Sequence, residues 1–214
     1  MDLINFFLGF AVGIATNLLS WLILFHGIIP KVSFSPYISK DDSDEIGHDK
    51  TNKSYRIKYE NSGSRSIIDF EVMARIEIDG LRPNVSTSHT FLVPLNPDGN
   101  LSFRQPYLHS RRKTGREGHL VRFFINSAME HIDRPPYPDN IREKAKEGTL
   151  TLEELLNLGS KATLSIQAFG YDEFSGSRRL FLSRPYTASD IKQGKFKKEN
   201  LDIAPPSEKP HDEK

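Results

Sequence analysis

The sequence predicts a mainly β protein. We expect a single N-terminal transmembrane α-helix, followed by an antiparallel β-sandwich, immunoglobulin-like, with a short helical insertion. A partly open barrel is the alternative to the sandwich. Three observations predict this fold class. Residues 3–29 contain no Lys, Arg, Asp or Glu. After Pro30, about seven short segments alternate apolar and polar residues between turn sequences, as sandwich strands do. A stretch near residues 139–158 carries helix-capping signals instead.

The first element is the apolar run of residues 3–29. It is longer than the roughly 20 residues that a helix needs to cross about 30 Å of hydrocarbon. Pro30 then ends the helix. The run starts after Met-Asp rather than a basic segment, and it exceeds the apolar core of a signal peptide, which is about 7–15 residues long. We therefore expect residues 1–30 to form an uncleaved signal-anchor; a cleaved signal peptide or a buried core helix is the alternative.

Small and polar residues recur within the apolar run at spacings of four, four, four and three, which place them on one helix face. Gly9 and Gly13 form the small-x-x-x-small pattern that lets two helix backbones approach closely, and Asn17 can hydrogen-bond across such an interface. The stripe therefore predicts self-association into a homo-oligomer. The alternatives are that Asn17 bonds its own helical turn, or that the stripe lines a pore. Its members are Asn5, Gly9, Gly13, Asn17 and Ser20.

The charges that flank the run predict its orientation. Only Asp2 precedes the run, whereas Lys31 and Lys40 follow it. Both lysines lie within the roughly 15–20 residues over which basic residues influence the orientation of a membrane span. This favours a single-pass protein of the cell membrane with a cytoplasmic C-terminal domain. The absence of cysteine is compatible with that compartment.

The next domain spans residues 31–196 and is built from strands. The clearest covers residues 67–78, where Phe70, Val72, Ala74, Ile76 and Ile78 alternate with polar residues, so one face is buried. Gly-containing turns separate it from its neighbours, and Pro94 predicts an edge or terminal position for the strand that it ends. The same reasoning predicts strands at 31–40, 55–60, 67–78, 90–95, 101–108, 119–129, 161–172 and 179–184.

Two short helices are expected between the last strands. Asp139 can cap the first, and Thr151 with Glu154 forms a capping box that opens the second, so the helical insertion covers about residues 139–158.

Residues 197–214 are charged and contain proline, which predicts a disordered tail.

Several function classes lack their motifs. Without cysteine, thiol nucleophiles and zinc fingers are excluded, and no H-E-x-x-H, G-x-S-x-G or Walker sequence is present. The acidic loop at residues 41–53 does not match an EF-hand, and His131 with Asp133 fits an ordinary surface better than a metal site. The net charge of +1 does not indicate a nucleic-acid partner. We expect no enzyme activity, no cofactor and no metal.

Two clusters are candidate contact sites. A hairpin tip that combines an acid, a hydroxyl and two guanidinium groups can bind a ligand or a partner protein; it consists of Asp172, Ser175, Arg178 and Arg179. A basic loop can meet lipid headgroups; it consists of Arg111, Arg112, Lys113 and Arg116. The alternative for both is that the charges only increase solubility.

These observations favour a membrane-anchored binding module. The alternatives are a membrane-perturbing or pore-forming effector, whose β domain senses a signal, and an enzyme of unrecognised type. The stretches FEVMARIEIDG, YDEFSGSRRLF and YTASDIKQGKF resemble the C-terminal halves of uncharacterised bacterial membrane-anchored β-domain proteins. That resemblance implies no role for any particular residue.

Overall fold

The computed structural model describes residues 3–24, 28–42, 51, 53–82, 87–111, 118–134 and 136–204. Helix α1 (Leu3–Leu22) has 20 residues, and none of them is buried. It is long and apolar enough to cross a membrane, as the composition predicts. The rest of the described chain is mainly β, which confirms the predicted fold class at that level.

Strands form two five-stranded sheets. In the first sheet, β3 is central: β1 and β2 pair with it along one edge, and β7 pairs along the other. The last strand, β10, adds in parallel to β2. This sheet consists of β1 (Val32–Phe34), β2 (Ile38–Asp42), β3 (Lys53–Asn61), β7 (His119–Phe123) and β10 (Ile191–Gln193).

The second sheet is antiparallel throughout and is centred on the longest strand, β4. Strands β5 and β6 share one edge of β4, while β8 and then β9 follow on the other. Pro94 directly follows β5, which lies at an edge as the proline predicts. This sheet consists of β4 (Ile67–Asp79), β5 (Ser88–Val93), β6 (Ser102–Leu108), β8 (Lys161–Asp172) and β9 (Arg178–Leu182).

Both sheets contribute to one hydrophobic core. The alternating residues of β4 from Phe70 to Ile78 are buried, as their period of two predicts. Across the core, the rings of Tyr59 and Phe70 lie 5.4 Å apart. Near its start, β4 contains a bulge at Asp69, whose φ of 49° lies in the left-handed region that Asp tolerates. The bulge turns both Ile67 and Phe70 towards the core, although they are three residues apart.

Helices lie between β7 and β8, and they begin earlier than the sequence predicts. The predicted strand at 119–129 ends at Phe123, and a 3₁₀ turn (Ile125–Ala128) leads into α2 (Met129–Ile132). Helices α3 (Asp139–Glu147) and α4 (Leu152–Leu156) follow. The capping box of α4 has both hydrogen bonds in place, since Thr151 accepts from the Glu154 N–H and Glu154 accepts from the Thr151 N–H.

Residues 197–204, predicted as the start of a disordered tail, are instead joined to the domain. The Lys197 and Ala204 amides donate within a local turn, and the segment bridges Phe196 to Ile203. The buried Lys58 ammonium donates to the carbonyls of Lys197 (2.7 Å), Lys198 (2.8 Å) and Asn200 (2.9 Å). Three acceptors match the three protons of an ammonium group. Residues 205–214 lie outside the described residues.

Candidate functional site

One end of the β domain meets the end of the apolar helix. The pairing of Val32 with Asn61, and of Ile67 with both Leu108 and Asp172, brings five strand ends together there. We call this region the junction end. It consists of residues 28–31, 61–66, 107–111 and 171–178.

Asn61 is the hydrogen-bonding centre of the junction end. Its side chain is buried, and its Oδ1 accepts from the amides of Gly63 (3.0 Å) and Lys31 (3.3 Å). Its Nδ2 donates to the carbonyls of Arg65 (2.7 Å) and Leu108 (3.2 Å). One amide group therefore ties together the chain that leaves the helix, the β3–β4 turn and the end of β6.

Gly63 brings the turn into direct contact with the chain after the helix. A Cβ atom at this position would lie 2.5 Å from the Ile29 carbonyl oxygen and 2.7 Å from the Pro30 Cα. Those are backbone atoms, which cannot move aside as the end of a side chain can. The close approach therefore requires glycine, and it packs the β3–β4 turn directly against residues 29–31.

A buried ion pair lies next to this turn. The Arg65 Nη1 is 3.3 Å from the Asp172 Oδ2, and their side chains are only 8% and 1% exposed. Arg65 also donates from Nη2 to the carbonyl of Leu24, at the end of the apolar helix, and its guanidinium lies 4.2 Å from the centre of the Phe174 ring. Arg65 thus connects the helix, the β3–β4 turn and the β8–β9 hairpin.

The predicted contact cluster at the β8–β9 tip divides into two parts. Asp172 and Ser175 are used within the hairpin, because Asp172 accepts from the Phe174 amide (3.0 Å) and from the Ser175 hydroxyl (3.1 Å). Arg178 is exposed, with its guanidinium 5.2 Å from the Phe169 ring centre, and Arg179 is half-buried. The structure therefore places the four residues together but leaves only Arg178 among them exposed.

The predicted basic loop begins at the same end. Arg111 contacts both carboxylate oxygens of Glu60, at 2.7 and 2.9 Å, and it also donates to the Glu199 carbonyl. Arg111 is therefore paired within the protein, and its proposed contact with lipid stays a prediction. Arg112, Lys113 and Arg116 lie outside the described residues.

The stripe Asn5, Gly9, Gly13, Asn17 and Ser20 lies entirely within α1 and is exposed. Thr16 beside it donates to the Val12 carbonyl at 2.8 Å, so its hydroxyl is satisfied within the helix. Added Cβ atoms at Gly9 and Gly13 would meet nothing within 4 Å. The stripe is thus an open surface in the single chain.

Away from the junction end, two adjoining clefts lie beside α2. The larger, of about 530 Å³, runs between the β5–β6 turn and Asn126, and the smaller, of about 210 Å³, is bordered by His89 and Tyr137. Burial raises the pKa of Tyr137 to about 12. His131 stacks on Phe91 between them. Within the described ranges, no group of three His, Asp or Glu side chains is arranged to hold a metal.

Comparisons with known proteins identify no family. No family model matches the chain, and no curated protein matches its sequence. Among solved structures, it is similar to the sporulation control protein Spo0M of Bacillus subtilis, with 10% identity and a TM-score of 0.32 over 77% of this chain and 49% of that one. The chain therefore spans about half the length of that structure. A similarity of this size identifies neither a family nor a function.

Sequence reasoning missed the residues that build the junction end. It predicted only a Gly-containing turn between the strands at 55–60 and 67–78 and did not single out Arg65. An Asn-x-Gly turn followed by arginine is common in loops, so the local sequence carries no signal of the partners. Those partners, Lys31, Leu108 and Asp172, are distant in sequence.

Proposed function

We propose that this protein is a single-pass membrane protein whose β domain acts as a binding module at the bilayer surface. The observation that carries the proposal is that α1 is mainly apolar, carries no charged residue and is unburied along all of its 20 residues. A helix that is apolar on nearly every side is stable where lipid or other helices replace water. The junction end supports the proposal, since it joins the domain directly to the end of that helix.

On this proposal α1 is an uncleaved signal-anchor, and the β domain lies on the cytoplasmic side because Lys31 and Lys40 follow the span. The two sheets form an immunoglobulin-like sandwich, in which one end is tied to the anchor and the opposite end is free to bind a partner. The β5–β6 turn with Asp98 lies between these two ends, beside the middle of β4, since β5 pairs with β4 from Ala74 to Asp79 and β6 pairs with it from Ile67 to Met73.

The absence of natural cysteine makes the proposal directly testable. In the full chain, Asp98→Cys in the exposed β5–β6 turn should react with a membrane-impermeant maleimide only after the cells are permeabilised. Ile14→Cys in α1 should react only after detergent is added, because lipid shields it. Reaction of Asp98→Cys in intact cells would overturn the orientation. Release of the protein from membranes by alkaline carbonate would refute the proposal that α1 is a membrane anchor.

We further propose that α1 helices associate through the Gly9–Gly13 face. The Asn17 amide has no hydrogen-bond partner within the described part of this chain, and a polar group in hydrocarbon gains free energy by finding one. Gly13→Leu should block the close approach of two helices. Light scattering of the detergent-solubilised protein is then expected to show a monomer in place of an oligomer.

The control for this variant is Ala15→Leu, which places the same leucine side chain on the opposite side of the helix. It should leave the oligomer intact. An equal mass for the wild type and Gly13→Leu would refute association through this face.

A further inference from the structure

We infer that the junction end rests on the lipid bilayer, with the β8–β9 hairpin tip inserted at the level of the headgroups. This inference depends on the proposed function, because it requires α1 to span the membrane. It adds a second, peripheral contact between the domain and the lipid, made by residues that are remote in sequence from the helix.

The position of the hairpin tip relative to the helix is the first argument. Residues 3–24 are helical and at 1.5 Å per residue rise about 33 Å, close to the roughly 30 Å of the hydrocarbon layer. Leu24 therefore lies near the boundary of that layer. Its carbonyl accepts from Arg65, whose guanidinium lies 4.2 Å from the centre of the Phe174 ring. The headgroup region is about 5–8 Å thick on each side, so Phe174 falls within its depth.

The exposed side chains of this end are the second argument. Phe174 stands at the tip with 60% of its surface exposed. Behind it, cross-strand pairing aligns Tyr107, Ile68, Tyr171 and Arg178 in one row on the outer face of the second sheet. Both tyrosines are exposed. Tyrosine and arginine are residues whose apolar bodies and polar ends suit the membrane interface.

The charged side chains in and around this row suit contact with zwitterionic or anionic headgroups. Lys31 and Arg178 are exposed and can pair with lipid phosphate, and Glu173 and Asp69 are the exposed acids beside them. Glu71, one row further from the junction end, is paired with Arg104 at 3.1 Å. Its pKa is lowered by a hydrogen bond from Ser102 and by Arg104. The inserted part is thus the aromatic tip, with basic groups at the level of the phosphates.

The test uses the full-length protein reconstituted in phosphatidylcholine–phosphatidylglycerol vesicles. A polarity-sensitive fluorophore is attached to Glu173→Cys, which leaves Phe174 in place. We expect a blue-shifted emission and strong quenching by lipids that carry a nitroxide at the headgroup. The same fluorophore on Asp98→Cys, in the exposed β5–β6 turn beside the middle of β4 and away from the junction end, should emit as in water and remain unquenched. Equal emission and quenching at the two positions would overturn the inference.

A second pair of variants isolates the aromatic contact. Phe174→Ser in the Glu173→Cys background should reduce the quenching and shift the emission towards that of water. Leu182→Ser is the matched control, because Leu182 is also exposed (62%) and belongs to the same hairpin. It lies at the far end of β9, four residues beyond Arg178 and away from the hairpin tip. It should change neither signal. Equal losses in the two variants would contradict insertion of the tip.

A fluorophore on Ile14→Cys separates this inference from the proposed function. Quenching at Ile14→Cys by nitroxides deep in the acyl chains, with none at Glu173→Cys, would leave the anchor standing and refute the contact at the tip. No quenching at Ile14→Cys would refute the anchor, and the bilayer contact with it.

Discussion

Replacing Asp172 with alanine is expected to lower the free energy of unfolding of the β domain by about 3–5 kcal/mol, the usual cost of leaving one partner of a buried ion pair uncompensated. Asp172 is 1% exposed, and its removal leaves the Arg65 guanidinium buried without a carboxylate. It also removes the acceptor for the Phe174 amide and the Ser175 hydroxyl. The loss should be measured by urea unfolding in detergent, followed by circular dichroism of the β signal. Fluorescence of the one tryptophan, Trp21, reports on α1 instead.

The control for Asp172→Ala is Asp139→Ala, which breaks the pair between Asp139 and Arg142. The Asp139 side chain is 81% exposed. Surface pairs contribute about 0–1 kcal/mol, so the loss should stay within that range. The double variant Arg65→Met with Asp172→Ala should lose less than the sum of the two single variants, because no charge is then left buried. Losses that are equal for Asp172→Ala and Asp139→Ala would contradict the role given to the buried pair.

Replacing Asn61 with alanine is the second change with a large expected effect. It removes the hydrogen-bond partner of the Lys31 and Gly63 amides and of the Arg65 and Leu108 carbonyls, and each buried group that stays unsatisfied costs about 1–3 kcal/mol. We expect a loss of several kcal/mol of unfolding free energy. Hydrogen exchange should also become faster in residues 28–35 and 61–66, where the helix exit meets the turn.

Asn140→Ala is the matched control for Asn61→Ala, since Asn140 is exposed on α3. It should change stability by no more than about 0.5 kcal/mol, as most surface substitutions do. Unchanged exchange in residues 28–35 of Asn61→Ala would show that the amide does not hold the junction end together.

The sequence by itself determined the elements whose causes are local. The apolar composition of residues 3–22 is enough to predict α1, because a run of about 20 apolar residues has the length and composition of a helix that can cross a membrane. The period of two in β4 required one buried face, and the capping box at Thr151 required a helix start. Gly80, Gly148 and Gly176 adopt positive φ directly after a strand, after a helix and within a hairpin, where glycine meets no steric penalty. Each of these signals depends only on neighbouring residues.

The tertiary structure alone decided how those elements join. The predicted strand at 31–40 is divided into β1 and β2, which pair with different parts of β3, and β10 pairs in parallel with β2. The sequence predicts one strand from residue 67 with a period of two, but the bulge at Asp69 interrupts that period near the start of β4. Arg65 and Asp172 are 107 positions apart, and Lys58 and Asn200 are 142 positions apart. Local patterns do not encode such pairs, because a polar residue gains its partner only when packing buries both and excludes the water that would otherwise satisfy them.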